Sequence, residues 1–181
     1  MKVLGIMGSP RREGNSSILL DEALRGAEEE GCEVEKFIVS MLNILPCNGD
    51  EECFKDGICT INDDMNLIYP KLLTKDVIII SSPIFFYGLP SSLKALIDRC
   101  QALWVRKLPI SKRKGAFIGV GATHSKDLFD GIGLTIKYFF KAIGVRYVNS
   151  LFVRGVEKKQ EIKKYPSFLK DAYNLGKMLA K

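Results

Sequence analysis

The sequence predicts an α/β fold, a parallel five-stranded sheet between two layers of helices, and three observations carry that expectation. Short apolar runs alternate with helical patterns along all 181 residues. One run, Val77-Ile78-Ile79-Ile80, is apolar at every position, as a strand covered on both faces of a parallel sheet must be. The first run, Val3 to Met7, breaks into a loop rich in Gly, Ser and Asn and then at once into an amphipathic helix.

The elements follow in order. Val3 to Met7 is the first strand. After Gly14, the residues Leu20, Ala23, Leu24 and Ala27 recur at i, i+3, i+4, i+7, and Gly31 is a stop for that helix. Val34 to Val39 reads as a half-exposed second strand. An insertion at about 40–65 comes next, roughly 25 irregular residues, and connections that long in a compact domain tend to be functional. Val77 to Ile80 is the third strand, followed by a helix with Leu93, Leu96, Ile97, Cys100, Leu103 and Trp104 on one face. Ala116 to Val120 is the fourth strand. Ile132, Ile136, Phe139, Phe140 and Ile143 mark a helix ending near Gly144; Arg146 to Val153 is the last strand; and Phe168, Ala172, Leu175 and Leu179 stripe a C-terminal helix. Strands joined by helical crossovers form a parallel sheet with helices on both faces. One common solution is the flavodoxin-like order 2-1-3-4-5, which binds FMN at the switch point beside strands 1 and 3. The chain, 1–181, reads as a single domain.

Composition agrees. A hydrophobic content of 46% is enough for a full core. The net charge of +6 is spread over small clusters, Arg106-Lys107, Lys112-Arg113-Lys114, Lys158-Lys159 and Lys163-Lys164, with no aromatic-rich basic stripe. That predicts solvated faces and no nucleic-acid partner. No stretch approaches the roughly 20 apolar residues of a membrane span, and the N-terminus opens a strand rather than a signal peptide. A cytoplasmic protein with no membrane partner is expected, its five cysteines being thiols or ligands rather than disulfides.

The loop Gly8-Ser9-Pro10-Arg11-Arg12-Glu13-Gly14-Asn15-Ser16-Ser17 has the makings of a phosphate cradle, with backbone N–H groups, hydroxyls and a helix N-terminus at one spot. It is no P-loop, because five residues separate Gly8 from Gly14 and Asn15 stands where the lysine belongs. Nor do Gly5, Gly8 and Gly14 have the dinucleotide-fold spacing. A second loop, Ser81-Ser82-Pro83-Ile84-Phe85-Phe86-Tyr87-Gly88-Leu89-Pro90, leaves the third strand beside the first loop and offers a flat aromatic wall. A third, Gly119 to Ser125, is positioned to close the other side and contains His124, the only histidine.

These motifs together, with Lys94-Ala95-Leu96-Ile97-Asp98-Arg99, resemble the NADPH-dependent FMN reductase family, and more narrowly its iron-sulfur flavoprotein branch. The resemblance covers residues 1 to about 125. It implies an FMN phosphate held by Ser9, Arg11, Asn15, Ser16 and Ser17, and an isoalloxazine ring against Pro83, Ile84, Phe85, Phe86, Tyr87 and Gly88. It also implies a homodimer or homotetramer. The Asp98–Arg99 pair matches the family pattern; in isolation it reads as an exposed ion pair of little consequence.

Iron-sulfur flavoproteins resemble the cysteine segment too, with four cysteines spaced C-x2-C-x2-C-x5-C before Asp-Asp-Met. Here Cys47, Cys53 and Cys59 stand at the first, third and fourth positions, ahead of Asp63-Asp64-Met65, and Asp50 stands at the second. Three outcomes remain open. A 4Fe–4S cluster could be completed by Asp50, another residue or an exogenous ligand; zinc could take three thiolates and one further group; or the loop holds free thiols. Cys32 and Cys100 read as small apolar packers. The function these features imply is an FMN-dependent oxidoreductase passing electrons from NAD(P)H or a reduced small-molecule or protein carrier to an acceptor, with no side chain assigned as catalytic acid or nucleophile. The alternatives are an electron carrier using a cluster at the three cysteines, and a binding module without turnover.

Overall fold

The computed structural model describes residues 1–181. Five strands, β1 (Lys2–Met7), β2 (Glu33–Ile38), β3 (Val77–Pro83), β4 (Lys114–Val120) and β5 (Arg146–Val153), form one sheet in the order β2-β1-β3-β4-β5. Every pairing is parallel. The flavodoxin-like order expected from the sequence is therefore the one observed.

Side chains alternate across the sheet with period two, and this sorts the core into two layers. Leu4, Ile6, Ile78, Ile80 and Phe117 face one side, where they meet helices α3 (Met65–Thr74), α4 (Ser91–Arg99), α5 (Gln101–Val105) and α6 (Asp130–Ala142). Here α2 is the single turn Cys53–Asp56. Val3, Met7, Val77, Ile79, Ala116 and Ile118 face the other side, covered by α1 (Asn15–Glu29) and α7 (Pro166–Leu179). The central strands are buried on both faces, which is why β3 is apolar without alternation. The edge strand β2 is only half-buried and carries Glu33, Glu35 and Lys36.

Helices α1 and α7 touch backbone to backbone. A Cβ on Gly176 would lie 1.8 Å from the Ala23 carbonyl oxygen, and one on Gly26 would lie 2.1 Å from that of Tyr173. Only glycine permits this approach.

Two expectations need correction. The helix after β3 does not run unbroken: it ends at Arg99 and restarts as α5 after Cys100, whose ψ is 1°. That break turns Trp104 outward, 52% exposed, while Leu93, Leu96, Cys100 and Leu103 are buried as expected. Nor do Asp98 and Arg99 pair with each other. Asp98 accepts from Lys94 at 2.7 Å on the surface, whereas Arg99 is buried against Asp63. No helix is long and apolar enough to cross a membrane.

Candidate functional site

A cavity of about 330 Å³ lies where the loops leave the C-terminal ends of β1, β3 and β4. That is the switch point, where the chain's direction of winding reverses between β1 and β3 and where open α/β sheets take ligands.

The first wall is Ser9, Pro10, Arg11, Gly14, Asn15 and Ser16. Gly14 caps α1 without a side chain to offer, and no acidic residue occupies the first helical turn. The amides of Ser9, Arg12, Glu13, Asn15, Ser16 and Ser17 have no hydrogen-bond partner within the protein. Orphan donors at a helix start, reinforced by the helix dipole, are an anion site. The sheet holds this loop down. The Gly8 N–H donates to Ser81 O at 2.8 Å, the Ser81 hydroxyl donates to Ser16 O at 2.7 Å, and the Arg11 N–H donates to Ser9 Oγ at 3.1 Å. A Cβ on Gly8 would meet Leu93 Cδ2 at 2.5 Å, so any larger residue there would force the buried Leu93 side chain to shift.

The second wall is Pro83, Ile84 and Phe85. The Ile84 N–H donates to Val120 O at 2.9 Å and anchors this loop to β4. Beyond it, Phe85 and Gly88 exchange backbone hydrogen bonds of 3.0 and 2.8 Å around a two-residue turn. Its central residues, Phe86 and Tyr87, have φ of 49° and 60°. Both are left-handed, as in the hairpin turn that favours Asn-Gly, and each aromatic residue there costs about 1 kcal/mol or more. The strain sits at the rim, where Phe86 is fully exposed. The third wall is Val120, Gly121 and Ala122, and Val156 and Glu157 complete the enclosure.

Not every expected residue lines the cavity. Asn15 does, and its side chain also braces the link after β5. There Nδ2 donates to Lys158 O at 2.9 Å, and Oδ1 accepts from the Ile162 N–H at 3.1 Å. The Ser17 hydroxyl accepts from Lys36 Nζ at 3.4 Å, outside the lining. Phe86, Tyr87 and Gly88 stand beyond the lining. His124 is not in it either; its ring packs against Gly155 so closely that a Cβ there would come within 2.2 Å. Val156 and Glu157 carry no motif, and only the fold brings the link after β5 under Asn15.

The cysteine segment forms a second cavity, about 220 Å³, with Cys47, Asp50, Cys53 and Cys59 in its lining and Arg99 in its wall. All three cysteines are free thiols. Asp50 organises the loop: Oδ1 accepts from the Glu52 N–H at 3.1 Å and Oδ2 from the Thr60 hydroxyl at 2.6 Å. These bonds hold its carboxyl below the ordinary range, Thr60 contributing most. Burial pushes the Cys53 thiol up, reinforced by neighbouring Cys59, Cys47 and Asp50. No three such groups converge on one point as a single metal ion requires. An iron–sulfur cubane makes a different demand, because each ligand binds a different iron and the ligands stand around a volume. Cys47, Cys53, Cys59 and Asp50 line one cavity, and in number and kind they match the ligand set a cubane takes.

Arg99 clamps this segment to the core. Nη1 donates to Asp63 Oδ2 at 2.6 Å and Leu45 O at 2.9 Å, and Nη2 to Asp63 Oδ1 at 3.2 Å and Ile61 O at 3.1 Å. Neither charged side chain has any solvent exposure. Burial works against the Asp63 carboxylate, but Arg99 and the Leu45 and Met65 amides outweigh it and keep its pKa low.

Sheet order, switch-point cavity and partner-free amides after β1 define a flavodoxin-like protein. Sequence comparison narrows the class: residues 1–129 match the profile of the NADPH-dependent FMN reductases, and the chain belongs to that family. An iron-sulfur flavoprotein of Methanocaldococcus jannaschii is 39% identical over 125 residues, 69% of this chain and 64% of that protein. Another, from Methanosarcina thermophila, is 34% identical over 125 residues, 69% of this chain and 65% of that one. The match thus spans just under two thirds of either relative. Among solved structures, an NAD(P)H:quinone oxidoreductase from Methanothermobacter marburgensis superposes with a TM-score of 0.77 at 18% identity, covering 100% of this chain and 98% of that one. That likeness concerns the fold.

Proposed function

We propose that this chain is an FMN-dependent oxidoreductase taking electrons from NAD(P)H or a reduced carrier and passing them to an acceptor. The observation that carries the reading is the pairing, across one cavity, of partner-free amides with a flat apolar wall. The phosphate of FMN would take the amides around Ser9 and Asn15–Ser17, with Arg11 at the edge, and the ring would lie against Pro83, Ile84 and Phe85. When bound, FMN supplies the redox chemistry. The protein's share would be to fix the phosphate and orient the ring, with the exposed Phe86 and Tyr87 beside the cavity where a donor would approach. The exposed Trp104, Leu134 and Tyr138 offer a surface for the expected homodimer or homotetramer.

Titration with FMN and with riboflavin tests this. Losing charged hydrogen bonds worth about 1.5–3 kcal/mol each should weaken riboflavin binding at least tenfold. Equal affinity, or no binding of either, overturns the reading. Oxidation of NADH and NADPH by the loaded protein then identifies the donor.

One observation favours a cluster alongside the flavin. The hairpin at the flavin cavity leads into α4, and α4 ends at Arg99 in the cysteine cavity. Its nine residues span about 13 Å, and the short segment 86–90 joins it to the wall of the first cavity. Cys47, Cys53 and Cys59 would hold the cluster, and iron and acid-labile sulfide measured after anaerobic reconstitution decide the matter.

A further inference from the structure

The chain departs from the four-cysteine pattern at one place, and the structure puts that residue among the other three. We propose that the cysteine cavity holds a 4Fe–4S cluster through Cys47, Cys53, Cys59 and the carboxylate of Asp50, so that one iron is carried by oxygen and exchanges while the other three stay on sulfur. This rests on the cluster reading above and goes beyond it, since it assigns the fourth ligand and makes one corner of the cluster chemically distinct.

Three features support the assignment. Asp50 lines the same cavity as the three thiols. Its carboxylate is already oriented, each oxygen accepting one hydrogen bond, from Thr60 Oγ1 and from the Glu52 N–H. A carboxylate has about four lone-pair sites, so both oxygens keep capacity for a metal. Metal-ligating carboxylates are typically held this way by outer hydrogen bonds.

The third feature is independent of Asp50. The only buried side-chain nitrogen or oxygen in the chain without a hydrogen-bond partner is Nε of Arg99. Arg99 is 1% exposed and belongs to the wall of this cavity. Its terminal nitrogens are fully used on Asp63, Leu45 and Ile61, which leaves Nε–H for an acceptor such as the neighbouring Cys59 sulfur. A guest bearing thiolates and sulfides is anionic and rich in acceptors, and it would satisfy that donor.

The chemical consequence follows from ligand softness. Carboxylate is a harder and poorer ligand than thiolate for iron in a sulfide cluster, so the iron on Asp50 should leave first. With ferricyanide as oxidant the balance is that a 4Fe–4S cluster of charge 2+ gives a 3Fe–4S cluster of charge 1+, one Fe²⁺ and one electron. The electron reduces ferricyanide to ferrocyanide, and Asp50 is left as a free carboxylate. Ferrous iron and a one-electron reductant reverse the step.

The full-length protein is reconstituted anaerobically with FMN, iron and sulfide, and bound FMN per chain serves as the folding control in every variant. Iron, sulfide and the electron paramagnetic resonance spectrum are measured before and after one equivalent of ferricyanide. About four irons per chain should fall to about three, with a 3Fe–4S signal that disappears when ferrous iron and dithionite are added. Asp50→Cys should retain its iron, with a 3Fe signal about tenfold weaker; Asp50→Ala should reconstitute directly to the three-iron form. Thr60→Val should speed iron loss about tenfold, as removal of an outer partner of a metal ligand does. Equal iron loss from the wild type and Asp50→Cys overturns the proposal, as does an Asp50→Ala protein that still exchanges a fourth iron. Iron uptake by Asp50→Cys but not by the wild type overturns it as well and makes position 50 a lost ligand. Absence of iron from both, with FMN bound, removes the cluster reading itself.

Discussion

Replacing Asp63 by alanine tests the claim that the cysteine segment is fastened to the core by one buried ion pair. Asp63 and Arg99 meet through two contacts, 2.6 and 3.2 Å, with side chains fully removed from solvent. The substitution leaves the guanidinium buried without its counter-charge, and breaking a buried pair from one side costs about 3–5 kcal/mol. It also strands the Leu45 and Met65 N–H groups, which donate to Asp63 at 2.8 and 2.9 Å. Against a total stability of about 5–15 kcal/mol this is a large fraction. Urea unfolding followed by far-ultraviolet dichroism should show a midpoint shift of that size at unchanged slope. Asp63→Ala combined with Arg99→Met should be more stable than Asp63→Ala alone, because no buried charge is then left unpaired. A loss below about 1 kcal/mol in the single variant, or a double variant no more stable than the single, refutes the reasoning. The pair also sets an acid limit. Because the folded carboxyl titrates below its usual range, its contribution is whole above the unfolded value of about 3.9 and is lost as pH falls through the lower folded value. Wild-type stability should therefore fall more steeply in acid than that of Asp63→Ala.

Three further outcomes are expected. Gly176→Ala drives a Cβ to 1.8 Å from the Ala23 carbonyl oxygen and should destabilise the protein by about 1–3 kcal/mol or more, read as a lower melting temperature; an unchanged one would show that α1 and α7 part easily. Phe86→Asn with Tyr87→Gly relieves two left-handed aromatic residues and should stabilise the apo-protein by about 1 kcal/mol or more while weakening FMN binding; a lower melting temperature contradicts the strain. Asn15→Ala severs the bonds to Lys158 and Ile162, so nicking by trypsin within 157–164 should accelerate and FMN affinity should drop about tenfold, the equivalent of 1.4 kcal/mol. Equal protease resistance in variant and wild type would place the support of that link elsewhere.

What the sequence discloses depends on how far a residue's partners lie along the chain. The strands and their order were legible because burial on both faces leaves an uninterrupted apolar run at β3, and because each crossover helix shows its own period. The three cavity loops were legible for the same reason, each directly following the strand that aims it. Arg99 was not. Its neighbour in sequence, Asp98, suggested a surface pair, but consecutive helical residues point in different directions. Its true partner lies 36 positions away, in a segment without periodicity. The outward turn of Trp104 hides behind a change of helical phase at Cys100, which a pattern count running through both helices cannot register. The left-handed turn at Phe86 and Tyr87 carries none of the Asn or Gly that would announce it, so its strain shows only in the backbone. Asp50 lies between these cases. The sequence marks it as the exception in a row of cysteines; only the folded loop shows a carboxylate held by Thr60 and Glu52 beside three thiols and the buried Arg99 Nε–H. The hydrogen bonds to Thr60 and Glu52 orient the carboxylate, and the cluster proposed for this cavity would give the buried Arg99 Nε–H an anionic acceptor.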